Sequence, residues 1–178
     1  MNIKIAIYPI VSLCLLFSFF LSSVESKAYN DSLLIEGKVT AKKGNLKDVV
    51  VKIYINNSLF KSEKLDRSSK LKLNLPLNEI LTVEISAPNY HSKRFMIDSH
   101  VPSNADHKFV YLFEMDLFSL EEMKGVNTFL FDFPVGLVKY DKRSGFIHNE
   151  KYTKQMKEEY FRLLEEANKS ERGGLKSK

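Results

Sequence analysis

The strongest constraint on the fold is a series of seven short segments, between residues 33 and 118, in which apolar side chains recur at every second position. The fourth segment, residues 70–75, reads Lys-Leu-Lys-Leu-Asn-Leu, and the fifth, residues 81–86, reads Leu-Thr-Val-Glu-Ile-Ser. Such alternation places one face of a strand in a core and the other in water. Because polar turn sequences separate the segments at regular intervals, the pattern predicts a mainly β protein, a sandwich of seven strands.

The seventh segment, residues 108–118, differs because both of its faces are apolar. Phe109, Tyr111 and Phe113 lie on one face, and Val110 and Leu112 lie on the other. Strands that are buried on both faces typically read in this way. The segment is therefore predicted to be either a central strand or a strand covered by the C-terminal part of the chain.

The N-terminus has the pattern of an export signal. Residues 3–21 are almost wholly apolar, Lys4 is their only charge, and small residues follow. This pattern predicts a signal peptide within residues 1–28 that is cleaved after Ser26 or after Ala28. The alternative is a retained membrane anchor, because the apolar run approaches the roughly 17–25 residues that a membrane-spanning helix needs. Either outcome predicts an exported protein with one domain of ordinary size.

Cysteine content and charge exclude several classes of protein. Cys14 is the only cysteine, and it lies within the apolar N-terminal run. After cleavage, the chain would have no disulfide, no thiol nucleophile and no cysteine-bound zinc. An exported domain without cysteine favours a bacterial periplasm or a location at the outer membrane, close to lipid. The net charge of +5 is scattered, without a basic stripe among aromatic residues, so we expect no nucleic-acid partner.

No catalytic motif occurs in the chain. It has no Gly-x-Ser-x-Gly nucleophile elbow and no glycine-rich phosphate loop that follows a strand. His100 and His107 flank a loop with Asp98 and Asp106, a set that would suit a metal ion only if the side chains converged. Their spacing matches no metal-ligand signature. We therefore expect no enzyme activity, no cofactor and no bound metal, and a metal-dependent enzyme accessory is the least favoured alternative.

The C-terminal part, residues 119–168, is predicted to form a ribbon and a helix that pack on the sandwich. Residues 129–139 are rich in apolar side chains but contain Pro134, which argues against a central strand and favours an edge strand or an extended ribbon. Residues 146–152 would return as a short arm, and Thr153 would cap the helix. The apolar stripe of this helix faces either the sandwich or a partner, and we favour the sandwich. The charged residues 169–178 are predicted to be disordered.

Several of these segments resemble a known family. The sequence Glu-Gly-Lys-Val at 36–39, the stretch Leu-Lys-Asp-Val-Val-Val at 46–51 and the strand ending in Ala-Pro-Asn-Tyr at 87–90 are similar, in order and spacing, to the carboxypeptidase regulatory-like domain. The resemblance covers residues 33–118 and implies a transthyretin-like (prealbumin-like) β-sandwich. The family's glycine before the fourth strand is replaced near Ser69, and its glycine before Tyr90 is Asn89, a residue that adopts positive φ at modest cost.

The resemblance also implies a function. Stand-alone exported copies of this domain are typical of cell-envelope proteins in Bacteroidetes, and the metal-binding pattern of the peptidase domain has no counterpart here. We therefore expect a non-enzymatic scaffold, or a module that binds another cell-envelope protein through an unpaired sheet edge. The alternative is a module for a glycan or a small ligand, which would need exposed aromatic side chains. The candidate binding surface is aromatic: Tyr90, Phe118, Phe133, Tyr152 and Tyr160.

Overall fold

Nine strands form two sheets in the part of the chain that the computed structural model describes, residues 32–105 and 109–175, with side chains to residue 169. The predicted export signal, Asp106, His107 and the last three residues lie outside the described residues. The strands are β1 Ser32–Ala41, β2 Val50–Ile55, β3 Ser58–Lys64, β4 Lys70–Pro76, β5 Ile80–Ser86, β6 Lys93–Asp98, β7 Val110–Leu117, β8 Leu137–Asp141 and β9 Gly145–His148. A 3-10 helix spans Phe129–Asp132, and helix α1 spans Glu150–Leu175.

The two sheets differ in size. The small sheet has the order β4-β1-β7, and the large sheet has the order β3-β2-β5-β6-β8-β9. Neighbouring strands are antiparallel except in the pairs β1–β7 and β6–β8, which are parallel. Each of the seven predicted segments is a strand, and the predicted mainly β sandwich with a C-terminal helix is confirmed. The last two strands, β8 and β9, extend the large sheet beyond β6.

One apolar core contains side chains from both sheets and follows the two-residue period. In β4, Leu71, Leu73 and Leu75 are buried, while the polar residues between them are exposed. The same alternation buries a set of aliphatic residues in β1 of the same sheet and in β2 and β5 of the large sheet: Leu33, Ile35, Val39, Val51, Ile53, Leu81, Val83 and Ile85. Because a two-residue period buries one side of each strand, the sheets pack with these sides facing each other.

Gly37 in β1 lets an aromatic ring of the neighbouring strand lie close to the backbone. It pairs with Phe113 in the β1–β7 register. A Cβ atom on residue 37 would approach Cε1 of that phenylalanine to 2.3 Å, well inside van der Waals contact. A glycine within a strand often marks such an approach. The ring thereby fills the space of the missing side chain, and its centroid lies 4.9 Å from that of Phe95 in β6.

Residues with positive φ shape several turns. Asn56 and Asn57, with φ of 48° and 66°, form the two-residue loop between β2 and β3. Positive φ at both positions matches the twist of a β-hairpin. Asn89 has φ of 66°, so it adopts the left-handed conformation that glycine usually provides. Ser69, with φ of 52°, adopts the same conformation immediately before β4.

The prediction for β7 was wrong. This strand is not central, because among the described strands it pairs with β1 alone and forms an edge of the small sheet. Its outer face is not covered by the C-terminal part either, since Leu112 is 67% exposed and Val110 is 38% exposed. Folded proteins expose much apolar surface, so hydrophobicity alone does not show which faces are buried.

The segment 129–139 was also predicted incorrectly. Its first part forms the 3-10 helix instead of an extended ribbon, and Pro134 lies between that helix and β8. Because the proline precedes the strand, it does not interfere with strand pairing. Strand β8 therefore lies inside the large sheet, between β6 and β9, and not at an edge.

Helix α1 begins at Glu150, and Asn149 caps it in place of Thr153. The Oδ1 atom of Asn149 accepts a hydrogen bond of 3.1 Å from the N–H of Tyr152. The helix continues to residue 175, so the predicted disorder of residues 169–175 was wrong. Extending an existing helix costs far less than nucleating one, even through the glycine pair at 173–174. No helix among the described residues is long and apolar enough to cross a membrane.

Candidate binding site along strand β7 and under helix α1

Three of the five predicted surface residues lie where helix α1 meets the sandwich. Phe118 and Tyr160 are buried, with 6% and 5% of their surface exposed, and their ring centroids are 6.0 Å apart. Neither ring therefore presents an open face to solvent. Tyr152 is half-buried, and its hydroxyl donates a hydrogen bond of 2.7 Å to the carbonyl of Pro134. These residues attach the helix to the sandwich.

The other two predicted residues have different environments. Tyr90 is half-buried, and its hydroxyl donates a hydrogen bond of 3.0 Å to the carbonyl of Lys43. This bond ties the chain after β5 to the loop after β1. Phe133 is 45% exposed, and its ring packs edge to face against Phe129, with the centroids 5.3 Å apart.

The edge of β7 that faces away from β1 carries unpaired backbone groups. In the parallel β1–β7 register, the N–H of Leu34 donates to the C=O of Phe109 at 2.8 Å. Because bonding direction alternates along a strand, the odd-numbered residues of β7 direct their backbone groups at β1, and the even-numbered residues direct theirs away. The N–H and C=O groups of Leu112 and Glu114 therefore have no hydrogen-bond partner among the described residues.

A groove runs beside this open edge, between β7 and the start of helix α1. We call it the edge groove; its volume is about 250 Å³. One wall is β7 from residue 111 to residue 115, and the other includes Val135, Gly136, His148 and Thr153. The wall formed by β7 is mainly apolar. The edge groove therefore offers both unpaired backbone groups and space for side chains.

A second space adjoins the edge groove under helix α1, and the two share Glu114, Met115, Val135 and Thr153 in their walls. We call it the helix cavity; its volume is about 220 Å³. The remaining wall residues are two lysines, three aromatic residues, one methionine and one acidic residue: Lys93, Lys157, Phe118, Tyr160, Phe161, Met156 and Asp116.

Lys93 is the most unusual residue of the helix cavity, because it is a lysine with only 8% of its surface exposed. Its Nζ donates a hydrogen bond of 2.5 Å to the backbone carbonyl of Asp116. The same atom lies 4.2 Å from the ring centroid of Phe118 and 4.8 Å from that of Tyr160. Burial lowers the pKa of Lys93 to about 8; the negative charge of Asp116 opposes the shift, and Lys42 adds to it.

Two hydroxyl groups on residues that line the helix cavity are buried without a hydrogen bond. They are the phenol of Tyr160 and the Oγ1 of Thr153, neither of which has a partner among the described residues. Burial also raises the pKa of Tyr160, so this phenol stays protonated across the physiological range. Buried polar groups are usually paired, so these two donors are available to a ligand or to ordered water.

The other sheet edges within the described residues carry features that oppose strand addition, although β3 also exposes Leu59 and Phe60. Strand β3 carries Lys61 and Glu63, which form a salt bridge of 2.8 Å. Strand β4 begins with a lysine and ends with Pro76, and β9 has only four residues. Charge, proline and short length are the features by which natural proteins protect edges. Strand β7, with eight residues, is the longest of these edge strands, and it exposes Leu112.

The histidines do not form a metal site in the described part of the chain. His100 is exposed, and its Nδ1 lies 2.7 Å from Oδ1 of Asp98. Within the described ranges, no group of three or more histidine, aspartate, glutamate or cysteine residues is placed to hold a metal ion. His91 stacks on Phe131 at 4.5 Å, and burial lowers the pKa of its imidazole. His148 lies in the wall of the edge groove.

Sequence reasoning missed Lys93 as a site residue, although the sequence contained a signal for it. In β6, Lys93 is in phase with Phe95 and Ile97, both of which are buried. A lysine on the apolar side of an alternating strand is an anomaly that deserves a structural explanation. The open edge of β7 had no comparable signal in the sequence, because the sequence of a single strand does not show which strands lie beside it.

No family model matches the chain, and no curated protein is similar to it. Solved structures that are similar over about half of the chain include the following two. "Crystal Structure of S.CueP" is 17% identical over 49% of this chain and 64% of that chain, with a TM-score of 0.35. 3-Chlorocatechol 1,2-dioxygenase from Rhodococcus opacus 1CP is 11% identical over 51% and 61%, with a TM-score of 0.37. The chain thus spans less than two thirds of either protein.

Proposed function

We propose that this protein is a non-enzymatic, exported β-sandwich that binds an extended segment of another cell-envelope protein by strand addition to β7. The observation that carries the proposal is the open edge of β7. An added strand would form hydrogen bonds with the N–H and C=O groups of Leu112 and Glu114. Its alternate side chains would enter the edge groove, where Met115 and Val135 provide apolar contact.

The geometry limits the length of the bound segment. Residues 112–116 of β7 border the edge groove and the helix cavity. At about 3.3 Å per residue, this stretch is roughly 13 Å long, which corresponds to a strand of about four or five residues. Backbone hydrogen bonds would provide most of the affinity, and the groove would select the side chains.

The assignment to the carboxypeptidase regulatory-like family is part of the proposal. It is supported by the sequence patterns at residues 36–39, 46–51 and 87–90 and by the positive φ of Asn89. A domain of this kind that lacks a peptidase domain would act as a scaffold or a binding module. The apolar N-terminus supports export to the periplasm or to the outer membrane.

The proposal can be tested by photo-crosslinking from the open edge. A photoreactive residue at Leu112 is compared with one at Ser62, which is also exposed but lies in the charged edge strand β3. After irradiation in an envelope extract, we expect a specific crosslinked protein from position 112 and none from position 62. Equal crosslinking from both positions would show that β7 is not the binding edge.

A proline substitution tests whether the backbone of β7 is responsible. Glu114→Pro removes an N–H that points away from β1, so the β1–β7 pairing is retained. The matched control, Glu114→Ala, changes the side chain but keeps the N–H. We expect the proline variant to lose at least tenfold in crosslinking yield and the alanine variant to behave like the wild type. Similar losses in both variants would assign the interaction to the carboxylate instead of the backbone.

A further inference from the structure

We infer that the helix cavity is a binding site for a small carboxylate with an apolar body, and that Lys93 and Lys157 hold its carboxylate. This inference goes beyond strand addition, because the ligand is a small molecule and the residues that recognise it belong to β6 and helix α1. The evidence for this ligand class is the volume of the cavity, the lysines and aromatic rings in its wall, and the unused N–H donors of Lys93.

Lys93 has donor capacity that the protein leaves unused. An ammonium group has three N–H donors, and the structure gives this one a single acceptor, the carbonyl of Asp116. The faces of Phe118 and Tyr160 provide its other close contacts. A buried charge is costly unless it is paired and fully hydrogen-bonded. A carboxylate oxygen in the cavity would supply the missing acceptor and the opposite charge.

Three lysine amines surround one group of aromatic rings. Lys42 lies 5.7 Å from the ring centroid of Phe118 and 5.2 Å from that of Phe161, and Lys157 lies 5.9 Å from the latter. With Lys93, they place three amines against the aromatic rings of the cavity wall. The cavity is therefore suited to an anion, and its aromatic walls favour an anion with an apolar body.

Three acidic residues lie near these lysines, and none of their carboxylates bonds to Lys93. The carboxylate of Asp116 accepts a hydrogen bond from the hydroxyl of Thr40, and Glu122 accepts hydrogen bonds from the N–H and hydroxyl of Ser119. Glu114 lies at the exposed rim of the cavity. The amine of Lys93 is bonded to a carbonyl and not to any of these carboxylates.

The volume of the cavity limits the size of the ligand. A closed apolar cavity of about 150 Å³ is large enough to hold benzene. The helix cavity, at about 220 Å³, has room for such a ring and a short acid chain. Met156 and Phe118 would contact the ring. 3-Phenylpropionate is therefore a suitable probe.

Isothermal titration of the full chain with 3-phenylpropionate tests the inference. For a ligand of this size, we expect a Kd on the order of 0.1–1 mM at pH 7. The neutral isostere 3-phenylpropionamide should bind at least tenfold more weakly. Affinity for the acid should fall as pH rises above about 8, because Lys93 then loses its proton. Saturation by the amide with equal affinity would overturn the inference, as would the absence of saturable binding.

Variants separate the two lysines from general charge effects. Lys93→Met should weaken binding of 3-phenylpropionate at least tenfold, and Lys157→Met should weaken it about two- to fivefold because that amine is more solvated. Lys139→Met, at an exposed position of β8, is the control and should change nothing. Unchanged affinity in the folded Lys93→Met variant would refute the site.

A second probe, N-acetylglycyl-phenylalanine, has the same carboxylate and aromatic ring at the end of a short peptide. If it binds more tightly than 3-phenylpropionate, the natural ligand of the cavity is a chain terminus. If it binds more weakly, the natural ligand is a small acid.

Discussion

Lys93→Met is expected to stabilise the protein at neutral pH and to lose this advantage at high pH. Methionine has a similar length and no charge, so it can occupy the same space between Phe118 and Tyr160. The backbone carbonyl of Asp116 would lose its donor, which offsets part of the gain. The main change is the removal of a buried ammonium group.

The magnitude follows from the pKa of Lys93, which falls from 10.5 to about 8 on folding. A difference of one pKa unit corresponds to about 1.4 kcal/mol, so keeping this amine protonated in the folded protein at pH 7 costs about 3 kcal/mol. Because the unfolded chain binds more protons between pH 8 and 10.5, the stability of the wild type rises with pH in this window. At pH 10 the remaining cost is about 1 kcal/mol.

Urea unfolding of the wild type and of Lys93→Met, at several pH values from 6.5 to 10, measures this effect. Subtracting the unfolding free energy of the wild type from that of the variant at each pH removes the contributions of the titratable groups that both proteins share. We expect the variant to be more stable by about 2–3 kcal/mol at pH 7 and by less than about 1 kcal/mol at pH 10. A difference that does not depend on pH, or one that grows as pH rises, would refute the account of Lys93 as a buried, desolvated amine.

Three further substitutions test the packing of the sandwich and the helix. Gly37→Ala should destabilise the protein by about 1–3 kcal/mol, because its Cβ would displace the ring of Phe113. In a Phe113→Leu background the same substitution should cost less stability, and an equal loss of stability would argue against the clash. Asn149→Ala should cost about 0.5–2 kcal/mol through loss of the helix cap, and thermal unfolding that leaves Tm unchanged would contradict this role. Tyr160→Phe should stabilise the protein by about 1 kcal/mol, since its hydroxyl has no partner among the described residues; destabilisation in urea would reveal a hydrogen bond through water.

The sequence predicts the sandwich well because burial imposes the two-residue period on each strand. The buried leucines of β4 and the aliphatic residues of β5 follow this rule directly. The same rule fails for β7, where Leu112 is apolar but exposed, because an apolar side chain can be either buried or exposed in a folded protein. Pro134 excludes a central strand only at its own position, and that position lies outside β8.

The candidate site depends on long-range relations that local patterns do not contain. Phe118 and Tyr160 were singled out as aromatic residues, but their mutual contact under helix α1 requires the tertiary structure. The open edge of β7 depends on strand order, and the pKa of Lys93 depends on the rings and the carbonyl around it. The alternation of Lys93 with Phe95 and Ile97 was the one local sign that a charge is buried here.

Residue-resolved hydrogen exchange along β7, before and after addition of the crosslinked partner's binding segment, tests the central claim most directly. In the free protein, the amides of Leu112 and Glu114 should exchange much faster than those of Tyr111 and Phe113, which face β1. In the complex, the two fast amides should become protected. Slow exchange at Leu112 and Glu114 in the free protein, or protection that appears only at another strand, would contradict strand addition at β7.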